Sequence, residues 1–211
     1  YGRNLYTPIR GGTPRAVGIA PFLILFLFFP LPGNYLITIM GICAFIDDLI
    51  GRKKIKQLKI EIGQLSRGMG MLIVTVIGYF YYGPISILIA FMIQPLNIAD
   101  MQPGTACTTI IVMCSTVLIT IYTLTSTIYY PLLLLLVVCI GYAPLDYKGK
   151  IMMGEIGNHT FAIGLGISYI FLADIIGNLT GTQIFIPIIT IILILITILL
   201  IAFIRRKNLN K

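Results

Sequence analysis

Two aspartates stand side by side in "FIDDLIGRKK", Asp47 and Asp48, at the end of an otherwise uncharged apolar run and directly before a basic cluster. A carboxylate at membrane depth is costly and usually marks a site, and two adjacent ones repel each other. A cation, a phosphate-bearing substrate complexed with one, or simply the water and lysines beyond a helix end would offset that. In "QPLNIADMQPG", Asn97 and Asp100 are three residues apart, on one face of a helix, before Pro103-Gly104 breaks the chain. As an isolated feature this is a polar turn between two spans. In "KIMMGEIGNH", Glu155 lies between Gly154 and Gly157 just before an apolar run. Backbone N–H groups at such a helix start can approach an anion, helped by the helix dipole.

Taken together these clusters suggest more than each does alone. Mg²⁺ is commonly held by one or two carboxylates plus substrate phosphates. Acids beside a basic rim at a membrane surface suit a phosphate-bearing soluble donor meeting a lipid phosphate. Transfer of a phosphoryl group needs mainly positioning and neutralisation of charge. The single histidine, His159, argues against zinc chemistry and is expected to be structural or peripheral. The four cysteines, Cys43, Cys107, Cys114 and Cys139, form no CxxC pair and fit apolar packing. Asn178-Leu179-Thr180 is an N-x-T sequon, and Asp174 is expected to be an interfacial residue of the same loop.

The elements that must position these residues are membrane helices. Of the 211 residues 58% are hydrophobic and 10% charged, against about 25% charged in soluble domains. Apolar runs near the roughly 20 residues a spanning helix needs recur along the whole length. Eight spans fit them, at about 16–32, 34–49, 69–83, 85–99, 107–124, 128–144, 160–176 and 182–204. The runs lack the alternation of a β-barrel, and backbone polar groups in lipid must be satisfied internally, so these are helices. The expected fold is an all-α integral membrane protein, a polytopic bundle of about eight transmembrane helices forming a single domain over 1–211. The opening at Tyr1 rather than Met suggests a fragment or a trimmed start.

With eight spans, the loops "FFPLPGN", "YFYYGP", "TLTSTIYYP" and "DIIGNLTGTQ" fall on one side and contain no Lys or Arg. All fifteen basic residues fall on the other, which the positive-inside rule makes cytoplasmic. Both termini are then cytoplasmic in a multi-pass cell-membrane protein, with active-site loops at about 1–16, 50–68, 100–106 and 145–159. Six of the seven acids share that side, and only Asp174 lies opposite. Three helix ends, carrying Asp47/Asp48, Asp100 and Glu155, are therefore expected to converge on one cleft. Adjacent residues on a helix point about 100° apart, so Asp47 and Asp48 are expected to do different jobs. Relief of their repulsion predicts that neither Asp→Asn change lowers stability.

In this order and at alternate helix ends, the motifs resemble those of the polyprenyl-phosphate N-acetylhexosamine-1-phosphate transferases. That family includes the phospho-N-acetylmuramoyl-pentapeptide transferase and the GlcNAc-1-phosphate transferases. "GTPRAVGI" is similar to its Gly-Thr-Pro motif, "FIDDLIG" to its Asp-Asp motif and "LNIADMQPG" to its Asn-x-x-Asp segment, while "MGEIGN" stands where the family has Gly-Asp-x-Gly. The resemblance covers nearly the whole chain, without the family's first helix and C-terminal part. It implies catalytic roles for Asp47 and Asp48, substrate contacts for Asn97, Asp100, Lys59 and Asn158, and Mg²⁺ ligation by Asp100 and Glu155. The implied partners are a UDP-sugar and a polyprenyl phosphate of undecaprenyl or dolichyl type in the membrane lipid, without nucleic acid, and a homodimer is compatible. The implied reaction leaves sugar-1-phosphate on the lipid phosphate and releases UMP. The alternatives are a catalytically inactive or accessory homologue and a transporter-like bundle. A transporter should carry acids at mid-span on broken helices, and these spans carry none.

Overall fold

The expected apolar segments appear in the same order, as helices, in the computed structural model, which describes residues 6–7, 12–54 and 60–209. They are Ile19–Phe28 (α1), Gly33–Ile50 (α2), Ile62–Tyr82 (α3), Ser86–Phe91 (α4), Ile93–Ala99 (α5), Thr105–Thr125 (α6), Tyr130–Tyr147 (α7), Gly154–Thr180 (α8) and Phe185–Leu209 (α9). Ahead of α1, Tyr6–Thr7 (β1) and Thr13–Pro14 (β2) form a two-residue antiparallel ribbon with Thr7 opposite Thr13. The protein is an all-α polytopic membrane protein, and among the described residues six helical stretches are long and apolar enough to cross a membrane.

One of those stretches, Ile62–Ala99, has 38 residues but is not a single rod. Ser86 Oγ donates to the Thr75 carbonyl at 3.0 Å, and Gln94 Nε2 reaches Met71 Sδ at 3.5 Å. Residues eleven apart on a straight helix would be about 16 Å apart along its axis. The chain therefore reverses, at Gly83, whose φ of 67° suits a residue without Cβ. This is the boundary expected between the third and fourth spans. The returning limb is itself broken between α4 and α5. Pro95 has no N–H to give Phe91, so it fits only the first turn of a new helix.

Two boundaries differ from expectation in ways that matter for the site. The helix α3 begins at Ile62 and α8 at Gly154, so residues 62–68 and 154–159, expected in loops, are helical. At the other extreme α1 has only 10 residues, about 15 Å, roughly half a hydrocarbon core. Pro30 and Pro32 follow it directly, and neither can supply the N–H that would continue it.

The centre of the bundle is α8. Every residue from Ile156 to Ile170 is buried, and α1, α2, α4, α5, α6, α7 and α9 all touch it. Small residues make this possible, as is general where membrane helices meet closely. A Cβ on Gly166 would lie 3.0 Å from Ile89 Cα, and one on Gly157 would lie 2.9 Å from Gly18 Cα. Further along α8, three polar side chains find partners within the bundle. Thr160 and Ser168 donate to carbonyls one turn back, at 2.9 and 2.8 Å. Tyr169 meets Thr197 of α9 at 2.6 Å. The cysteines fit the packing role expected of them, with Cys107, Cys114 and Cys139 buried and all four free.

Candidate active site

A helix leaves its first N–H groups without partners inside the helix, and where they are buried something else must accept them. At the start of α8 that need is met by carboxylates from other helices. Asp100, at the end of α5, accepts from Met153 N at 3.3 Å and Gly154 N at 3.0 Å. Asp48, in the last turn of α2, accepts from Glu155 N at 3.2 Å and Ile156 N at 3.0 Å. Two buried carboxylates thus satisfy four successive amides. Each acid sits at the negative end of its own helix dipole, and the positive end of α8 offsets that. Asp146 does the same for α6, accepting from Gly104 N at 3.0 Å.

The approach is close because residue 154 is glycine. Its φ is +63°, and a Cβ there would collide with the Arg15 carbonyl and lie 2.9 Å from Asp48 Oδ2. The segment carrying Arg15 is strapped across the start of α8. Met152 N donates to the Pro14 carbonyl at 2.9 Å, and Thr13 Oγ1 donates to the Gly149 carbonyl at 3.2 Å.

An ion-pair layer lies on these caps. Arg15 Nη2 is 2.9 Å from Asp48 Oδ1 and 3.5 Å from Glu155 Oε1. Arg67, on α3, is 3.1 Å from Asp47 Oδ2 and 3.1 Å from Glu155 Oε2. One turn along α8, His159 Nε2 is 2.9 Å from Glu155 Oε2. Three side chains able to carry positive charge therefore surround Glu155. The doublet divides its work: Asp48 is fully buried on amides and Arg15, whereas Asp47 is 8% exposed and faces Arg67.

Of the residues singled out in the sequence, Asp47, Asp48, Asp100 and Glu155 come together here. Asn97 and Asn158 meet beside them, with Asn158 Nδ2 3.4 Å from Asn97 Oδ1. Lys59 lies outside the described residues. The sequence reading missed Arg15, Arg67 and His159 as members of the cluster. In the sequence both arginines read as topology signals, although Arg15 stands inside the "GTPRAVGI" motif itself. His159, expected to be structural or peripheral, is fully buried against Glu155.

Several buried polar atoms of the cluster have no hydrogen-bond partner: Arg15 Nε, Arg67 Nε, Asn158 Oδ1 and His159 Nδ1. Such atoms are rare in folded proteins and mark places where a ligand or water is to be expected. The donors among them suit an anion. Their arrangement does not fit an Mg²⁺ shared by Asp100 and Glu155. The oxygens of Asp100 take up the amides of α8, and those of Glu155 face two guanidiniums and an imidazole. Among the described residues, no three His, Cys, Asp or Glu side chains are placed to hold a metal ion.

Compared with protein-family models, with curated proteins and with solved structures, the chain matches none.

Proposed function

We propose that this protein transfers a sugar-1-phosphate from a UDP-sugar to a membrane polyprenyl phosphate at the charged end of the bundle. The observation that carries the reading is the meeting of five segments at the start of α8. They bring Arg15, Asp47/Asp48 with Arg67, Asn97/Asp100, and Glu155/Asn158 into one cluster. A phosphorylated donor needs charge neutralisation and fixed orientation above all. Two guanidiniums with unpaired Nε–H groups supply both, since Arg binds phosphate with directed, charge-assisted bonds.

In this reading an oxygen of the lipid phosphate attacks the sugar-bearing phosphorus of the donor. The bond from that phosphorus to the bridging oxygen breaks, and UMP leaves with the oxygen. Arg15 and Arg67 exchange their contacts to Glu155 for contacts to the diphosphate. With no diphosphate bound, Glu155 holds both guanidiniums in place. Asp47 is the acid available to the reacting groups, because Asp48 and Asp100 are committed to the amides of α8. Asp48 is a positioning residue that fixes Arg15 and the helix start.

The acceptor has a fitting surface. A groove of about 620 Å³ runs between α4/α5 and α9, lined by Phe91, Ile98, Ile194 and Ile198, with Arg205 and Arg206 at its charged end. Arg205 also donates to the carbonyl of Ile98 at 3.4 Å, two residues before Asp100. An isoprenoid tail suits the apolar wall, and a phosphate suits the arginines. The positive-inside rule puts this end in the cytoplasm, where nucleotide sugars are found.

A second reading is favoured by one observation. The ion pairs around Glu155 close the cluster on itself, as an accessory homologue without turnover would have it. One experiment separates the two. The membrane-embedded protein is incubated with a panel of UDP-sugars and a polyprenyl phosphate, with and without Mg²⁺, and UMP is measured. Release that depends on both substrates is expected. No release with any sugar, from protein that binds a UDP-sugar, would leave the accessory role.

A further inference from the structure

The other end of the bundle holds a cavity that the transferase reading does not use. It has a volume of about 410 Å³ and is walled by Phe29, Tyr81, Tyr82, Tyr129 and Phe171, with Asp174 among its lining residues. That is within the range of small-molecule sites, which typically combine apolar and aromatic walls with a few placed polar groups. The wall has fixed geometry on one side, where the Tyr129 and Phe171 rings stack at 3.9 Å with 9° between their planes.

Charge decides what such a cavity would hold. Asp174 belongs to the end of the molecule whose four connecting segments contain no Lys or Arg. It accepts a hydrogen bond from Asn178 Nδ2 at 3.2 Å, a neutral donor, and among the described residues it has no ion-pair partner. A small hard cation takes roughly six or more oxygen ligands, whereas Asp174 is the one carboxylate among the residues lining this cavity. An organic ammonium needs only one carboxylate, because aromatic faces supply the rest of its binding through the ring quadrupole.

We propose that this cavity binds an organic ammonium group, with Asp174 as counter-charge and the tyrosine and phenylalanine rings as its wall. The ammonium is that of a free amine or of an amine-bearing lipid head group, and the two arms of the test distinguish these sources. The site is independent of the transferase reading, and its test does not use turnover.

The full chain is purified in dodecyl maltoside, which carries no ammonium, and its thermal unfolding is followed. In one arm choline and ethanolamine are titrated against sodium chloride at matched ionic strength. In the other, micelles are doped with phosphatidylethanolamine or with phosphatidylglycerol. Binding to the folded state raises the unfolding temperature in a saturable way. The expected result is a saturable rise with an ammonium compound in at least one arm, absent with sodium chloride and phosphatidylglycerol. Asp174→Asn should weaken half-saturation at least tenfold, and Tyr129→Leu should weaken it by less. Should Asp174→Asn not fold, Tyr129→Leu is read in the same way. No saturable rise in either arm, or a rise unchanged in these variants, overturns the proposal.

Discussion

The two ends of α8 meet the same physical problem with opposite resources. At its start four amides are buried without helical partners, and α2 and α5 deliver Asp48 and Asp100 to them. At its finish the chain turns at Gly181 (φ +69°), and Asp174 stands at an aromatic cavity, paired among the described residues with Asn178 alone. The first acids are required by the fold before any chemistry is asked of them. The last is not required by any buried backbone group, which leaves it available for a ligand. At the start of α8 the orphaned amides decide where buried charge resides.

That contrast is broken or sharpened by substitution. The largest effect is expected for Asp48→Ala, which strips two amides and Arg15 of their acceptor at a position with no exposed surface. Removing one partner of a buried pair costs about 3–5 kcal/mol, so the unfolding temperature in detergent should fall steeply, if the protein is recovered at all. Glu155→Gln should cost less, on the order of 1–3 kcal/mol, because Arg15 and Arg67 each keep an aspartate. Glu155→Asp shortens a side chain that meets Arg15, Arg67 and His159 at once, so it too should lower the unfolding temperature. Asp174→Asn should be smallest, within about 0.5 kcal/mol in the absence of ligand. Equal losses for Asp48→Ala and Asp174→Asn would erase the distinction between the two ends.

Much of this was legible in the sequence, and the failures have a common cause. Segregation of Lys and Arg located the charged end, and the segment order followed from hydropathy and the Gly and Pro breaks. Convergence of the acids followed from the alternation of spans. The start of α8 was placed near residue 160 because "GEIGNH" is polar, and polar residues look like loop when only lipid is considered. Those residues are helical since they are buried inside the bundle rather than facing lipid. The cap itself was invisible. A helix is normally capped by Ser, Thr, Asp or Asn at its own N-cap, whereas here the position is Met153 and the acceptors arrive from Asp48 and Asp100 far away in the chain.

Helix burial also inverts the simplest expectation. The Gly-, Ser- and Thr-containing α8 is 78% buried over its most apolar window, whereas the nearly uninterrupted aliphatic run of α9 is 17% buried. Among membrane helices the polar and small residues gather inside, because lipid already suits isoleucine and leucine. The same logic places Arg67 on α3 rather than in a loop, with its charge turned inward to Asp47 and Glu155.

The division of labour within the doublet is the central claim. It is tested most directly by measuring UMP release and thermal unfolding side by side for Asp47→Asn and Asp48→Asn. Sequence alone predicted that neither change would lower stability, but the amide contacts of Asp48 argue otherwise. Asp47→Asn is expected to lose UMP release while unfolding within about 2–4 °C of the parent, the shift that roughly 1 kcal/mol produces in a chain of this size. Asp48→Asn is expected to unfold at a clearly lower temperature, with activity falling as Arg15 and the start of α8 lose their anchor. Full UMP release by Asp47→Asn, in a preparation where the parent is active, would contradict the account, and so would Asp48→Asn unfolding with the parent.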